Sequence, residues 1–255
     1  DSMESQSAQT EFRYIDGRRY HNTENAVYYL PNDENETDRL HFQHFLIRYI
    51  WQNNFSAPVE HILSKPGAKV LDIGYPLAKV IGLDISPHQP TQIIPKNFEF
   101  IKANTQERLP FDDNTFDFVF QRLLIIGYTK ETWPNVINEL VRVLKPGGYL
   151  ELCEVSMSLE GGPATRYLWK NAENIKKEEK KVYYGLKHNH IELSKAIMNN
   201  HVAATNSLKP ILTKILKISD EEFEDSVKKM EKELFEGDAY HYWARAYGRK
   251  VNDNN

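Results

Sequence analysis

Five short runs in the middle of the chain are almost wholly apolar: 68–74 (AKVLDIG), 79–85 (KVIGLDI), 97–103 (NFEFIKA), 115–121 (TFDFVFQ) and 148–153 (GYLELC). Runs this short and this apolar suit strands covered on both faces, as in a parallel sheet. Between the fourth and fifth, residues 130–144 carry Val136, Ile137, Leu140, Val143 and Leu144 at helical spacing. That stripe predicts an amphipathic helix with Pro134 tolerated in its first turn. The tetrapeptide 145–148 (KPGG) then stops the helix and turns the chain into the fifth strand. Strand, helix and strand with short links form a crossover unit. The whole series predicts an α/β fold with a doubly wound, Rossmann-like sheet.

The flanks follow other periods. Residues 38–52 place Leu40, Phe42, Phe45, Leu46, Tyr49 and Ile50 on one helical face. Just before them, 28–33 (YYLPND) reads as an extended piece turning into that helix, because Pro31 biases Leu30 away from helix. Downstream, Ser219 and Glu222 have the spacing of a capping box, and the helix behind them is expected to bury Phe223, Val227, Met230 and Leu234. Residues 240–247 (YHYWARAY) alternate in bulk and are read as a late strand closing one sheet edge; 181–188 is read as a further strand. The charge run 176–181 is read as a solvated helix face. These patterns divide the chain into a flexible tail (1–10), an N-terminal helical extension (11–64), a main domain (65–250, with its core at 67–156 and a helical and edge-strand part at 157–250) and a second tail (251–255).

Composition narrows the function classes. The 255 residues suffice for one α/β domain with additions. Acids outnumber bases 36 to 32, which leaves no basic footprint for nucleic acid. No apolar run approaches the ~20 residues of a membrane helix, and 1–10 lacks the apolar core of a secretory signal. A chain beginning with Asp is expected to be a fragment or a processed form. The one cysteine, Cys153, excludes an internal disulfide and any multi-cysteine metal site, and fits a reducing, intracellular and cytoplasmic setting. His41 and His44 lie three apart on a predicted helix, but no third ligand is placed for a metal.

Four pieces, 68–74, 80–86 (VIGLDIS), 109–119 (LPFDDNTFDFV) and 144–150 (LKPGGYL), occur in order and resemble the successive motifs of class I S-adenosylmethionine (SAM)-dependent methyltransferases. The resemblance covers about 69–154. The segments 28–33 and 38–40 also resemble an extension that lies over the cofactor site in one branch of that family. The resemblance implies SAM as cofactor and methyl transfer as activity. It implies that Asp72 and Gly74 lie beside the methionine part of SAM and that Asp84 accepts hydrogen bonds from the ribose hydroxyls. Ile85 would pack on the adenine, and Asn104 and Thr105 would face its edge. Gln121 and Arg122 would follow the fourth strand near the emerging methyl group. Methyl transfer is an in-line displacement, so the protein's part is chiefly positioning. The acceptor is expected to be a small molecule, with a protein side chain as the next choice. Asp117, Trp133 and Trp169 are read as structural, and Arg122 as equally a salt-bridge or a substrate residue.

One departure from the family pattern is large. Where the family continues with a glycine-rich loop and a helix, this chain has only 75–78 (YPLA) before the second strand. A parallel crossover normally needs a dozen or more residues. Four extended residues reach ~14 Å at most. Three outcomes are open: a tight turn with antiparallel strands, a strand displaced from the sheet, or a deletion from a competent ancestor. In each, the methionine end of SAM loses partners, and SAM is expected to bind weakly or not at all. Two other functions compete. One is a non-catalytic methyltransferase-like partner or scaffold. The other is a nicotinamide-dependent oxidoreductase suggested by 183–187 (YYGLK), against which no G-x-G-x-x-G follows any strand.

Overall fold

The computed structural model describes residues 12–22, 29–73, 80–85, 97–125, 127–129, 131–155 and 178–251. The tail 1–10, Tyr28, Gly74, the link 75–78 and Trp169 lie outside the described residues. So do Lys79, where the second strand was expected to begin, and the first two positions of the charge run.

The chain opens with a hairpin, β1 (Phe12–Ile15) and β2 (Arg18–His21), in antiparallel register Ile15↔Arg18. Asp16 (φ 50°) and Gly17 (φ 75°) make its two-residue turn, the conformation an Asp-Gly pair favours between twisted strands. This hairpin was not anticipated from the sequence. Helix α1 (Glu34–Trp51) follows, four residues earlier than expected. Asp33 caps it by accepting the backbone N–H of Glu36, and Gln52 ends it in the left-handed conformation. A short helix, α2 (Glu60–Leu63), leads into the sheet.

The parallel strands are β3 (Val70–Ile73), β4 (Val80–Asp84), β5 (Phe98–Lys102), β6 (Phe116–Arg122) and β7 (Leu144–Val155), with helix α3 (Trp133–Val143) between the last two. Then come β8 (Glu178–Tyr183), α4 (Ile191–Ser207), α5 (Lys209–Leu216), α6 (Asp220–Glu236) and β9 (Tyr240–Arg249). The seven-stranded sheet runs β5-β4-β3-β6-β7-β9-β8, with β9 antiparallel to both neighbours. This is the Rossmann-like arrangement the apolar runs predicted, with helical additions. The capping box on Ser219 and Glu222 is present, and Phe223, Val227, Met230 and Leu234 are buried as expected.

Three expectations are corrected. First, β3 and β4 are parallel neighbours in register Val70↔Val80, neither antiparallel nor displaced. The strands are shorter than the apolar runs suggested, so six residues, 74–79, join them. The return needs about 10 Å along the sheet and about 5 Å across it, well within the reach of that many residues. It leaves no length for a covering helix. Second, β9 is interior and β8 is the edge strand. Third, the described part of the charge run, Glu178–Lys181, lies on β8 and not on a helix. Charges there blunt an edge that would otherwise pair with another chain.

Each sheet face has its own core. On one, Leu71, Leu83, Phe116 and Val119 pack under Val136, Leu140 and Val143 of α3. On the other, Val70, Phe118 and Phe120 meet Leu46, Ile47 and Trp51 of α1 and residues of α4 and α6. Phe55 stands edge-on to both Phe118 and Phe120, with ring centres 4.9 and 5.1 Å away. Glu36, 1% exposed, ties the N-terminal part down: it pairs with Arg39 at 2.6 Å and accepts from the Ser207 hydroxyl at 2.7 Å. No helix among the described residues is long and apolar enough to cross a membrane.

Candidate functional site

In open α/β sheets ligands bind beyond the carboxyl ends of the strands, and two groups of side chains collect there. The first lies at the strand tips. Asp84 ends β4, Gln121 lies near the end of β6 and Glu154 near the end of β7. The half-buried Asp84 is close enough to raise the Tyr128 pKa by charge, although burial contributes more. Tyr128 shares a 2.5 Å hydrogen bond with the Thr105 hydroxyl and donates to Gln121 Oε1 at 3.4 Å. Gln121 Nε2 in turn donates to Glu154 Oε1 at 3.5 Å. Glu154 also accepts the backbone N–H groups of Leu124 (3.2 Å) and Ile125 (3.1 Å), which pins the loop after β6 to β7. Burial pushes the Glu154 carboxyl up to about 8 despite these donors.

The second group lines a cleft between α1, the turn after it, and the sheet. Its walls include His44, Arg48, Phe55, Asp72, Arg122 and Arg245. The enclosed part of the cleft is small, about 20 Å³, and the rest opens to solvent. Arg122 donates to His44 Nδ1 at 2.9 Å, which requires a neutral imidazole with its proton on Nε2. Burial, followed by the charges of Arg122 and Arg48, lowers the His44 pKa to about 4.

The structure distributes the expected site residues unevenly. Asp72 (4% exposed) lies in the cleft, at the end of β3. Asp84, Thr105 and Gln121 converge through Tyr128. Ile85 is half-buried just past β4. Asn104 is turned to local use, its Oδ1 accepting the Gln106 N–H at 3.0 Å. Asp117 is structural, accepting from the Lys69 backbone N–H and the Lys145 ammonium at 2.9 and 2.8 Å. Trp133 packs edge-on to Tyr128. Arg122 lines the cleft and bonds His44, and no group of three metal-ligating side chains exists among the described residues. Tyr183, the last residue of the edge strand, stacks on His188, and Lys187 pairs with Asp238 at 2.6 Å, both far across the sheet from β3 and β4. Tyr128, Glu154 and Arg245 were not singled out in the sequence. Glu154 alone had a signal, an acid at the tip of an apolar strand.

SAM makes two demands on such a site. A sugar needs a carboxylate at the tip of β4, and Asp84 supplies it. An amino-acid tail needs a close backbone approach and a helix N-terminus beyond β3. The residues between Ile73 and Val80 are too few to furnish both. A carboxylate for the sugar is present at Asp84, and length for both a loop and a helix at the amino-acid tail is not.

Residues 66–152 match the protein family described as "Methyltransferase domain". The chain is similar to methyltransferase pytC of Aspergillus terreus, with 35% identity over 56% of this chain and 46% of that protein. It is similar to N-methyltransferase sirN of Leptosphaeria maculans, with 33% identity over 52% of this chain and 51% of that protein. Protein-methionine methyltransferase laeA of Emericella nidulans shows 28% identity over 58% of this chain and 42% of that protein. The chain spans about half the length of the curated relatives it matches.

Proposed function

We propose that this protein, whose residues 66–152 match the family described as "Methyltransferase domain", is a SAM-dependent methyltransferase by descent whose grip on the cofactor is half-built. The adenosyl side, centred on Asp84, is kept. The methionine side is lost, so SAM binds weakly or not at all and transfer to a small-molecule acceptor is slow or absent. The observation that carries this reading is the parallel pair β3–β4 joined by six residues. When bound, SAM supplies an electrophilic methyl group, and the protein's task is to orient the donor and acceptor. The chain's own contribution is the fixed loop after β6, held by Glu154, and the polar relay from Thr105 to Gln121. The same incompleteness favours a second reading, in which the domain serves as a non-catalytic partner.

Calorimetry with SAM tests the proposal. The expected result is a dissociation constant weaker than about 1 mM. Micromolar binding to this chain contradicts it. A companion protein carrying a glycine-rich loop and a helix inserted between Ile73 and Val80 separates the two readings. Methyl transfer regained by the insertion, and absent without it, favours a non-catalytic role for this chain.

A further inference from the structure

The cleft under α1, which shares Asp72 and Arg122 with the cofactor reading, also holds two arginines that reading leaves unused, Arg48 and Arg245. Arg245 is buried on β9, 1% exposed, with its guanidinium over the Trp51 ring at 4.6 Å. Its Nη2 donates to the Asn53 carbonyl at 3.2 Å, and its Nε lies 3.7 Å from Glu151 Oε1. Its Nη1 has no hydrogen-bond partner among the described residues. A buried donor left in this state is costly, and a ligand oxygen would satisfy it. Arg48 projects into the same cleft from the exposed side of α1 and makes no ion pair among the described residues. Arg122 completes the set, with its contact to His44.

Two acids face these three cations. Asp72 lines the cleft, and Glu151 stands behind Arg245, where it accepts from the backbone N–H groups of Ser56 and Ala57. The cationic excess selects an anion, and the rings beside it favour one carried on an aromatic body over inorganic phosphate. The remaining walls are mixed: Ile47 and the rings of Phe55 and Phe120 on one side, His44, Asn53 and Asn54 on the other. Guanidinium groups present paired N–H donors in the plane that a carboxylate accepts.

We propose that this cleft is the acceptor side of the site and that it takes a small carboxylate on an apolar, aromatic body, anchored by Arg48, Arg122 and Arg245. Naming the ligand as the methyl acceptor rests on the methyltransferase reading; the binding itself does not.

The test is calorimetry on the full chain with three probes: benzoate, its neutral isostere benzamide, and inorganic phosphate. Benzoate is expected to bind at least about tenfold more tightly than either of the others. Arg48→Ala is expected to weaken benzoate by about tenfold and Arg48→Lys to recover part of that loss, while binding falls as salt rises. Arg48 is exposed, and unchanged melting curves establish that both variants are folded. Benzamide binding as well as benzoate overturns the proposal. So does phosphate binding more tightly than benzoate, an Arg48→Ala variant with unaltered affinity, or no benzoate binding at all. Titrating SAM into the benzoate-loaded protein keeps the two claims apart. Benzoate bound without SAM upholds the cleft whatever becomes of the methyl donor, and SAM bound without benzoate sinks the cleft alone.

Discussion

Two corners of the same parallel sheet are built in opposite ways. Between β6 and β7 the chain spends residues 123–143 on a loop and on α3, whose Val136, Leu140 and Val143 are fully buried over Leu71, Phe116 and Val119. Between β3 and β4 it spends six residues, and the register is nonetheless regular. Strand order is therefore not dictated by the crossover helix. It follows from the apolar runs themselves and from β3 lying between β6 and β4, with hydrogen bonds on both edges. The helix adds cover and, at its N-terminus, a binding surface. A corner that lacks the helix can keep its place in the fold and lose its ligand chemistry.

This contrast can be broken at several points. Leu140→Ala in α3 is expected to cost about 2–5 kcal/mol, read by urea unfolding, because the side chain is fully buried in the covered corner. A cost under 1 kcal/mol would mean that α3 is as dispensable as the missing helix. Restoring a loop and helix between Ile73 and Val80 is expected to raise SAM affinity by about a hundredfold, equivalent to about 3 kcal/mol. Calorimetry measures this, and an unchanged affinity would place the defect elsewhere.

Glu154 sharpens the picture of the intact side. Its folded pKa, about 8, lies above the ordinary 4.5, so the folded protein binds the extra proton between those values. The associated stability is complete below about pH 4.5 and is lost as pH rises through about 8. Glu154→Gln is expected to flatten this slope, removing a pH-dependent change of roughly 4 kcal/mol between pH 5 and 8. Melts from pH 5 to 9 test it, and an identical slope in the variant would count against the assignment. The smallest effect is remote from both corners: Ser219→Ala removes one half of the α6 capping box and is expected to cost about 1 kcal/mol.

Much of the fold was legible because burial on both faces writes itself as apolar runs, and β3 to β7 were found within a few residues. The hairpin β1–β2 was passed over, although Asp16-Gly17 is a strong two-residue turn signal; its strands carry Arg and Tyr in place of a clean alternation. The run on β8 was read as helix because Glu and Lys are good helix formers, while at a sheet edge the same charges prevent pairing with other chains. In the site, Asp84, Thr105 and Gln121 were assigned through the family resemblance, and the structure sets Thr105 and Gln121 on Tyr128 with Asp84 nearby. Tyr128, Glu154 and Arg245 were not legible, because they reach the site from a loop, a fifth strand and a seventh that only tertiary packing brings together. Asn104 was assigned to the adenine edge, and its Oδ1 accepts a hydrogen bond from its own turn.

The central claim is that the adenosyl half of the site survives without the methionine half. The most direct measurement compares 5′-methylthioadenosine with S-adenosylhomocysteine, two ligands that share the adenosyl-sulfur group and differ in the amino-acid tail, by calorimetry on this chain. The account predicts affinities within about threefold of each other, because the tail finds no partners. An S-adenosylhomocysteine affinity about thirtyfold or more above that of methylthioadenosine would contradict it, since the tail would then be held by a site the six residues were argued too few to make.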